Sequence, residues 1–263
     1  MTVIETGLAL GGGAARGWAH IGVIRALREK NIRITHIAGT SIGAFVGAFV
    51  ATGRLDDLER EILDFDWKQG LGYFASVPSR TGMLNGRGIT EFLREHLGPG
   101  NIEDTAVALR TVATDLHNGD EVVLATGSLV EAVRASIAVP GIFTPVVHDG
   151  RLLVDGGLIN PVPVNIVRRM GARHVVAVDL NRVSSDPDTP ILKSRDPNVL
   201  EIIGASANII EAGLTRSRLA VDPPDVLVRP RLEHISFLEF NRGGEALQAG
   251  YEAAMQALAD QGI

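Results

Sequence analysis

Twice in its first 53 residues the chain runs a short apolar strand into glycine and straight on into a helix: GLALGGGAARGWAHIG (7–22) and HIAGTSIGAFVGAFVATG (36–53). The first passage predicts a strand over Thr6–Leu10 and a helix over Ala15–Lys30. Trp18, Ile21, Ile24 and Leu27 fall on one stripe of that helix, and Asn31 is a left-handed stop. The second predicts a buried strand over Ile34–Ala38, then an apolar helix over 42–52 ended by Gly53. Gly43 and Gly47 sit one turn apart on it, so it can approach the sheet closely. Strand, helix, strand, helix with such tight joints is the signature of a mostly parallel α/β sheet with helices on its faces.

Further along, Leu55–Phe65 is an amphipathic helix, and Ile89–Leu97 and Leu129–Ala138 are helical, the latter stopped by Pro140. Asn118–Gly119 and Asp149–Gly150 predict hairpin turns, between Leu109–Thr114 and Glu121–Ala125 and within VVHDGRLLV. A short helix (164–170), a buried strand (Val175–Val178), a helix (198–219), a strand (Val226–Val228) and a last helix (244–259) follow. The Ser/Asp/Pro segment 181–197 reads as a flexible loop inside one domain spanning 1–263. The 263 residues suit one core. A net charge of −6 without a Lys/Arg run excludes a nucleic-acid binder, and the lack of cysteine excludes disulfides, thiolate nucleophiles and Cys-based metal sites. Glu5 interrupts the apolar N-terminus, which has no basic start, and SIGAFVGAFVA is about half of the roughly 20 residues a bilayer span needs. A soluble, cytoplasmic protein is expected.

The chemistry concentrates at the two junctions. Gly39-Thr40-Ser41-Ile42-Gly43 is G-x-S-x-G, the nucleophile elbow. The strand-to-helix turn is so sharp that a side chain two residues either side of the serine would collide with its surroundings; glycine removes both clashes. The hydroxyl is then held at a helix N-terminus, where partial positive charge favours an alkoxide. Such a string arises by chance in roughly one chain in seven of this kind, so its placement between strand and helix carries the weight. The earlier loop is neither a dinucleotide site nor a Walker loop. Arg16 stands where G-x-G-x-x-G needs its last glycine, strand two ends in the serine elbow instead of an acid, and no Gly-Lys-Ser/Thr follows. An oxyanion hole is the remaining functional reading, with a packing turn as the plain one. Arg16 opposes the helix dipole, so it either props the loop from below or meets an anionic substrate head. For a base, His174 lies at the wrong end of a parallel sheet, His20 fits a packing role beyond Arg16, and His234 stays open in a late loop. Asp155, ending the apolar strand of LLVDGG, is the better placed candidate, although Asp–Gly–Gly is also a common plain turn. A lone carboxylate would need a dry pocket and short contact with Ser41 to serve.

Gly12–Gly17, Gly39–Gly43 and Asp155–Gly157 together resemble the G-G-G-x-[RK]-G, G-x-S-x-G and D-G-[AG] motifs of the patatin-like phospholipase family. Residues 135–146 and 160–164 also look like family segments. The resemblance is nearest to small bacterial members related to the catalytic domain of neuropathy target esterase, and it covers roughly 5–180. It implies a three-layer patatin-like α/β fold and a serine acyl-ester hydrolase working on phospholipid or lysophospholipid without a metal or other cofactor. It further implies a Ser41–Asp155 dyad and oxyanion donors at Gly12, Gly13 and Ala14, supported by Gly11, Arg16, Gly17, Gly39, Gly43, Gly156 and Gly157. One departure is Ala14, which replaces the third loop glycine. A positive φ there would cost alanine about 1 kcal/mol or more, whereas a free N–H would lose nothing. A Ser–His–Asp carboxylesterase and a regulatory protein that kept only the fold remain the alternatives. The aromatic stretch Phe65–Phe74, with Phe45 and Phe49, could line an acyl channel or touch a membrane surface transiently; ordinary core packing is the competing role.

Overall fold

A computed structural model describes residues 4–64, 84–181, 191 and 196–263. Its elements in order are β1 (Ile4–Leu10), a 3-10 turn (Ala14–Trp18), α1 (Ala19–Glu29), β2 (Ile32–Thr40), α2 (Ile42–Ala51) and α3 (Leu55–Leu63). Then come α4 (Arg87–Leu97), β3 (Ala108–Asp115), β4 (Glu121–Leu124), α5 (Leu129–Ser136), β5 (Val146–His148) and β6 (Arg151–Asp155). The chain continues through α6 (Val164–Arg169), β7 (Val175–Val178), α7 (Val199–Val221), β8 (Val226–Val228) and α8 (Gly243–Asp260). The aromatic stretch 65–74 and most of the 181–197 loop lie outside the described residues.

The strands form one mixed sheet in the order β5-β6-β3-β2-β1-β7-β8, with β4 also paired to β3. β3, β2, β1, β7 and β8 run parallel, β4 and β6 pair antiparallel with β3, and β5 pairs antiparallel with β6 in a hairpin. Both hairpin turns follow the sequence. Gly119 takes φ 77°, and Asp149 and Gly150 take φ 47° and 75°, the doubly left-handed pair a two-residue turn between twisted strands requires. Asn31 at φ 54° closes α1 as expected, and Gly53 at φ 73° closes α2.

Side-chain alternation along the strands divides the interior into two layers. Leu8, Leu10, Ile37, Val176 and Val178 join one core with α1, α2, α5 and α8, while Ala9, Ala38, Val175 and Ala177 join the other with α6. Helices therefore cover both faces of the sheet. Leu8, Leu10, Ile37 and Phe49 are fully buried, each stabilising the fold by about 1.5–3 kcal/mol. Phe45 and Phe49 belong to this core and pack with Trp18 and Phe92 in an aromatic cluster. The helix expected from Ala15 starts instead as the 3-10 turn. Gly13, at φ 153°, leads into it without a side-chain cap, and Gly17 passes so close to Ile42 that any side chain there would collide.

One detail of register decides where the chemistry can be. β4 occupies one edge of β3 over Thr111–Thr114. The other edge is shared: β2 pairs up to Thr40↔Val112, and β6 takes over at Asp155↔Ala113. The end of β2 and the end of β6 thus meet on adjacent residues of one strand.

Candidate active site

Ser41 follows Thr40 directly, and Asp155 ends β6, so the register puts the two side by side although 114 residues separate them. The Ser41 hydroxyl donates to Asp155 Oδ2 at 2.5 Å, and both residues are buried. Ser41 sits at φ 56°, ψ −127°, in the sterically costly region that an elbow imposes. The flanking glycines are obligatory: a Cβ on Gly39 would come 2.5 Å from Ala44 N, and one on Gly43 would strike the Leu10 carbonyl. The serine carbonyl accepts from the N–H groups of Ala44 and Phe45, which opens α2 beneath it. Its own N–H donates to Ser136 Oγ at 2.9 Å, and Ser136 donates on to the Val112 carbonyl at 2.6 Å. The last residue of α5 thereby ties the elbow to β3.

Asp155 is held equally firmly. Its second oxygen, Oδ1, accepts the Gly157 N–H at 2.8 Å, its carbonyl accepts from Thr114 Oγ1 at 2.9 Å, and its N–H donates to the Ala138 carbonyl at 3.0 Å. Gly156 lies so close to the Val112 carbonyl that no side chain fits, which explains the first glycine of Asp–Gly–Gly. Burial pushes the Asp155 carboxyl up to about 6, against the opposing pull of the Ser41 hydroxyl and the Gly157 N–H. At neutral pH it is still mostly ionised, and more basic than an exposed aspartate.

The glycine loop departs from expectation at one donor. Gly11 N–H donates to the Val178 carbonyl and Gly12 N–H to the Pro161 carbonyl at 3.0 Å, so the Gly12 amide is already taken up. Among the described residues, no protein acceptor takes the N–H of Gly13 or Ala14. Ala14 adopts φ 48°, the strained alternative of the two the sequence left open, and keeps its N–H. Arg16 props the loop. Buried, and with its pKa lowered by that burial, it donates to the carbonyls of Ile235 and Leu180 and to Asn181 and Asn208. His20 Nε2 donates to the Gly11 carbonyl at 2.8 Å, and burial depresses its pKa to about 4, so it is a neutral strut for the loop. His174 bonds Thr6 at the opening end of β7, and His234 lies beside Glu245 of α8; Ser41 and Asp155 take their hydrogen bonds from other groups.

A second carboxyl escaped the sequence reading. Glu211 of α7 receives a short hydrogen bond from Asn181, and its carboxyl lies against Gly12 and Gly157. A signal was present: Asn208, Glu211 and Thr215 recur at helical spacing in an otherwise uncharged run, IIGASANIIEAGLT (202–215). α7 buries Asn208 and Thr215 and exposes Ile202, Ile209 and Ile210, the inverse of ordinary amphipathicity.

A serine on a strand-to-helix elbow, bonded to a carboxylate that the next rung of the sheet supplies, defines a class of α/β proteins set apart from those that place a histidine there. The chain belongs to the patatin-like phospholipase family, which it matches over residues 8–168. An uncharacterized NTE family protein of Mycobacterium bovis is 41% identical over 192 residues, 73% of this chain and 52% of that one. Lysophospholipase NTE1 of Pyricularia oryzae is 30% identical over 98% of this chain but only 19% of its own length. The chain thus spans about half, or less, of these curated relatives. Among solved structures, VipD from Legionella pneumophila shares the fold, with a TM-score of 0.53 at 15% identity over 98% of this chain and 67% of that one. No helix among the described residues is long and apolar enough to cross a membrane.

Proposed function

We propose that the protein is a serine acyl-ester hydrolase acting on phospholipid or lysophospholipid through a Ser41–Asp155 dyad. The observation that carries this reading is the 2.5 Å bond from Ser41 Oγ to a buried aspartate whose pKa is raised to about 6. Asp155 takes the hydroxyl proton as Ser41 attacks the acyl carbonyl, and the amides of Gly13 and Ala14 receive the oxyanion at the mouth of the first helix. Collapse of the tetrahedral intermediate expels the alcohol, which recovers the proton from Asp155. The carboxylate then deprotonates a water that attacks the acyl-serine, and it returns that proton to Ser41 Oγ as the fatty acid is freed. Lipid acyl esters as substrates are supported by the family match and by the fungal relative's name as a lysophospholipase.

A fluorophosphonate probe tests the nucleophile: it should label Ser41 in the folded protein, and Ser41→Ala should abolish both labelling and ester turnover. His174→Ala and His234→Ala should each keep turnover within a few-fold of wild type. If either histidine proves indispensable, a Ser–His–Asp mechanism replaces the dyad.

A further inference from the structure

Glu211 reaches the site from α7, far outside the three motifs. Its environment is chemically constrained. The Asn181 side-chain amide touches three groups: Arg16 Nη1 at 3.4 Å from its oxygen, and the Gly12 carbonyl at 3.1 Å and Glu211 Oε2 from its nitrogen. An arginine only donates and a carbonyl only accepts, so the orientation of this amide is forced, and Glu211 Oε2 must be an acceptor. The peptide between Gly12 and Gly13 is planar and trans, so fixing the Gly12 oxygen fixes the opposite direction of the Gly13 N–H. The loop glycine also makes room for the acid: a Cβ on Gly12 would stand 3.2 Å from Glu211 Oε2 and 3.5 Å from Ser41 Cβ.

We propose that Glu211 is a positioning residue of the reaction: through Asn181 it holds the Gly12 carbonyl, and so aims the Gly13 N–H at the oxyanion. This deepens the hydrolase reading above and rests on it. Because Oε2 accepts from Asn181, a proton on Glu211 belongs on Oε1, the oxygen that lies with Asp155 Oδ1 around Gly157. Glu211 is half-buried; desolvation there first, and then the Asp155 charge, push its carboxyl up to about 8, while Arg16 and the Asn181 bond oppose this and Asp179 adds to it. At neutral pH Glu211 is therefore an uncharged support. Its ionisation at higher pH sets a second negative charge beside Asp155 and near the developing oxyanion.

The test is hydrolysis of p-nitrophenyl butyrate by the full chain, with kcat and KM followed from about pH 5 to 10. Glu211→Ala should lower kcat on the order of 10- to 100-fold with KM within about twofold, the scale of a misplaced catalytic group. Glu211→Gln keeps an oxygen for Asn181 and should recover most of that kcat. It should also lose the alkaline decline near pH 8, while the acidic fall near pH 6 set by Asp155 remains. Asn181→Ala should match Glu211→Ala, and the double variant should be no slower than the slower single, since both act in one chain of contacts. Wild-type kcat in Glu211→Ala, an alkaline decline that persists in Glu211→Gln, or losses that multiply in the double variant overturn the inference. Should Glu211→Ala fail to fold, the Glu211→Gln pH profile decides alone. Absence of Ser41-dependent turnover in the wild type overturns the hydrolase reading instead, and this inference with it.

Discussion

Asp155 pays for its basicity in stability. Its folded pKa of about 6 lies above the ordinary 3.8, so between those values the folded state binds more protons than the unfolded one. Stability therefore falls as pH rises from about 4 to 6, and the full penalty, about 3 kcal/mol for a carboxyl displaced this far, persists at neutral pH. Asp155→Asn should abolish ester turnover yet raise the thermal midpoint at pH 7–8, with the gain shrinking towards pH 4; a lower midpoint at neutral pH would contradict the burial argument. Ala14 carries strain of a different kind. At φ 48° an alanine costs roughly 1–2 kcal/mol, partly offset in a glycine variant by a more flexible unfolded chain. Ala14→Gly should thus gain about 0.5–1 kcal/mol in denaturant unfolding while keeping turnover, since the amide is retained. Ser41 and Asp155 were legible in the sequence because sharp turns demand glycines beside them, and glycines leave a local pattern. Glu211 and Asn181 left none of that kind. Their partners are contributed by separate segments that only the fold assembles, and a polar residue in a helix reads as solvated until its neighbours are known.

The elements themselves were largely legible, because hydrophobic period and turn chemistry are local. Both hairpins fell where Asn–Gly and Asp–Gly stood, and Val175–Val178 and Val226–Val228 form as read. What periodicity could not convey is pairing. Nothing in Arg151–Asp155 announces that β6 takes over the edge of β3 where β2 peels away into its elbow. Ser136 pins that changeover, bridging the Ser41 N–H and the Val112 carbonyl. Ser136→Ala would leave a buried donor and a buried acceptor without partners, at about 1–3 kcal/mol. A lower thermal midpoint and slower fluorophosphonate labelling of Ser41 should appear together; unchanged labelling would mean the elbow holds its shape without α5.

Across the whole molecule, the last helix locks the first. α8 crosses α1 backbone to backbone: a Cβ on Gly22 would strike the Leu247 carbonyl, and one on Gly250 the Ala19 carbonyl. Ala19 opens α1 immediately after the glycine loop's 3-10 turn, so α8 braces the candidate oxyanion loop from behind. Gly250→Val should destabilise the fold by at least about 2 kcal/mol, a fall of roughly 4–8 °C in midpoint for a chain of this size. The changeover on β3 also sets when the proposed dyad can first assemble. A polypeptide growing from the ribosome carries its reactive hydroxyl through 114 further residues of synthesis before the proton acceptor exists, and the two meet only once the antiparallel hairpin has docked. On the proposed dyad mechanism, no unfinished form of the chain holds both groups together, so the capacity to turn over an ester arrives only with the docked hairpin.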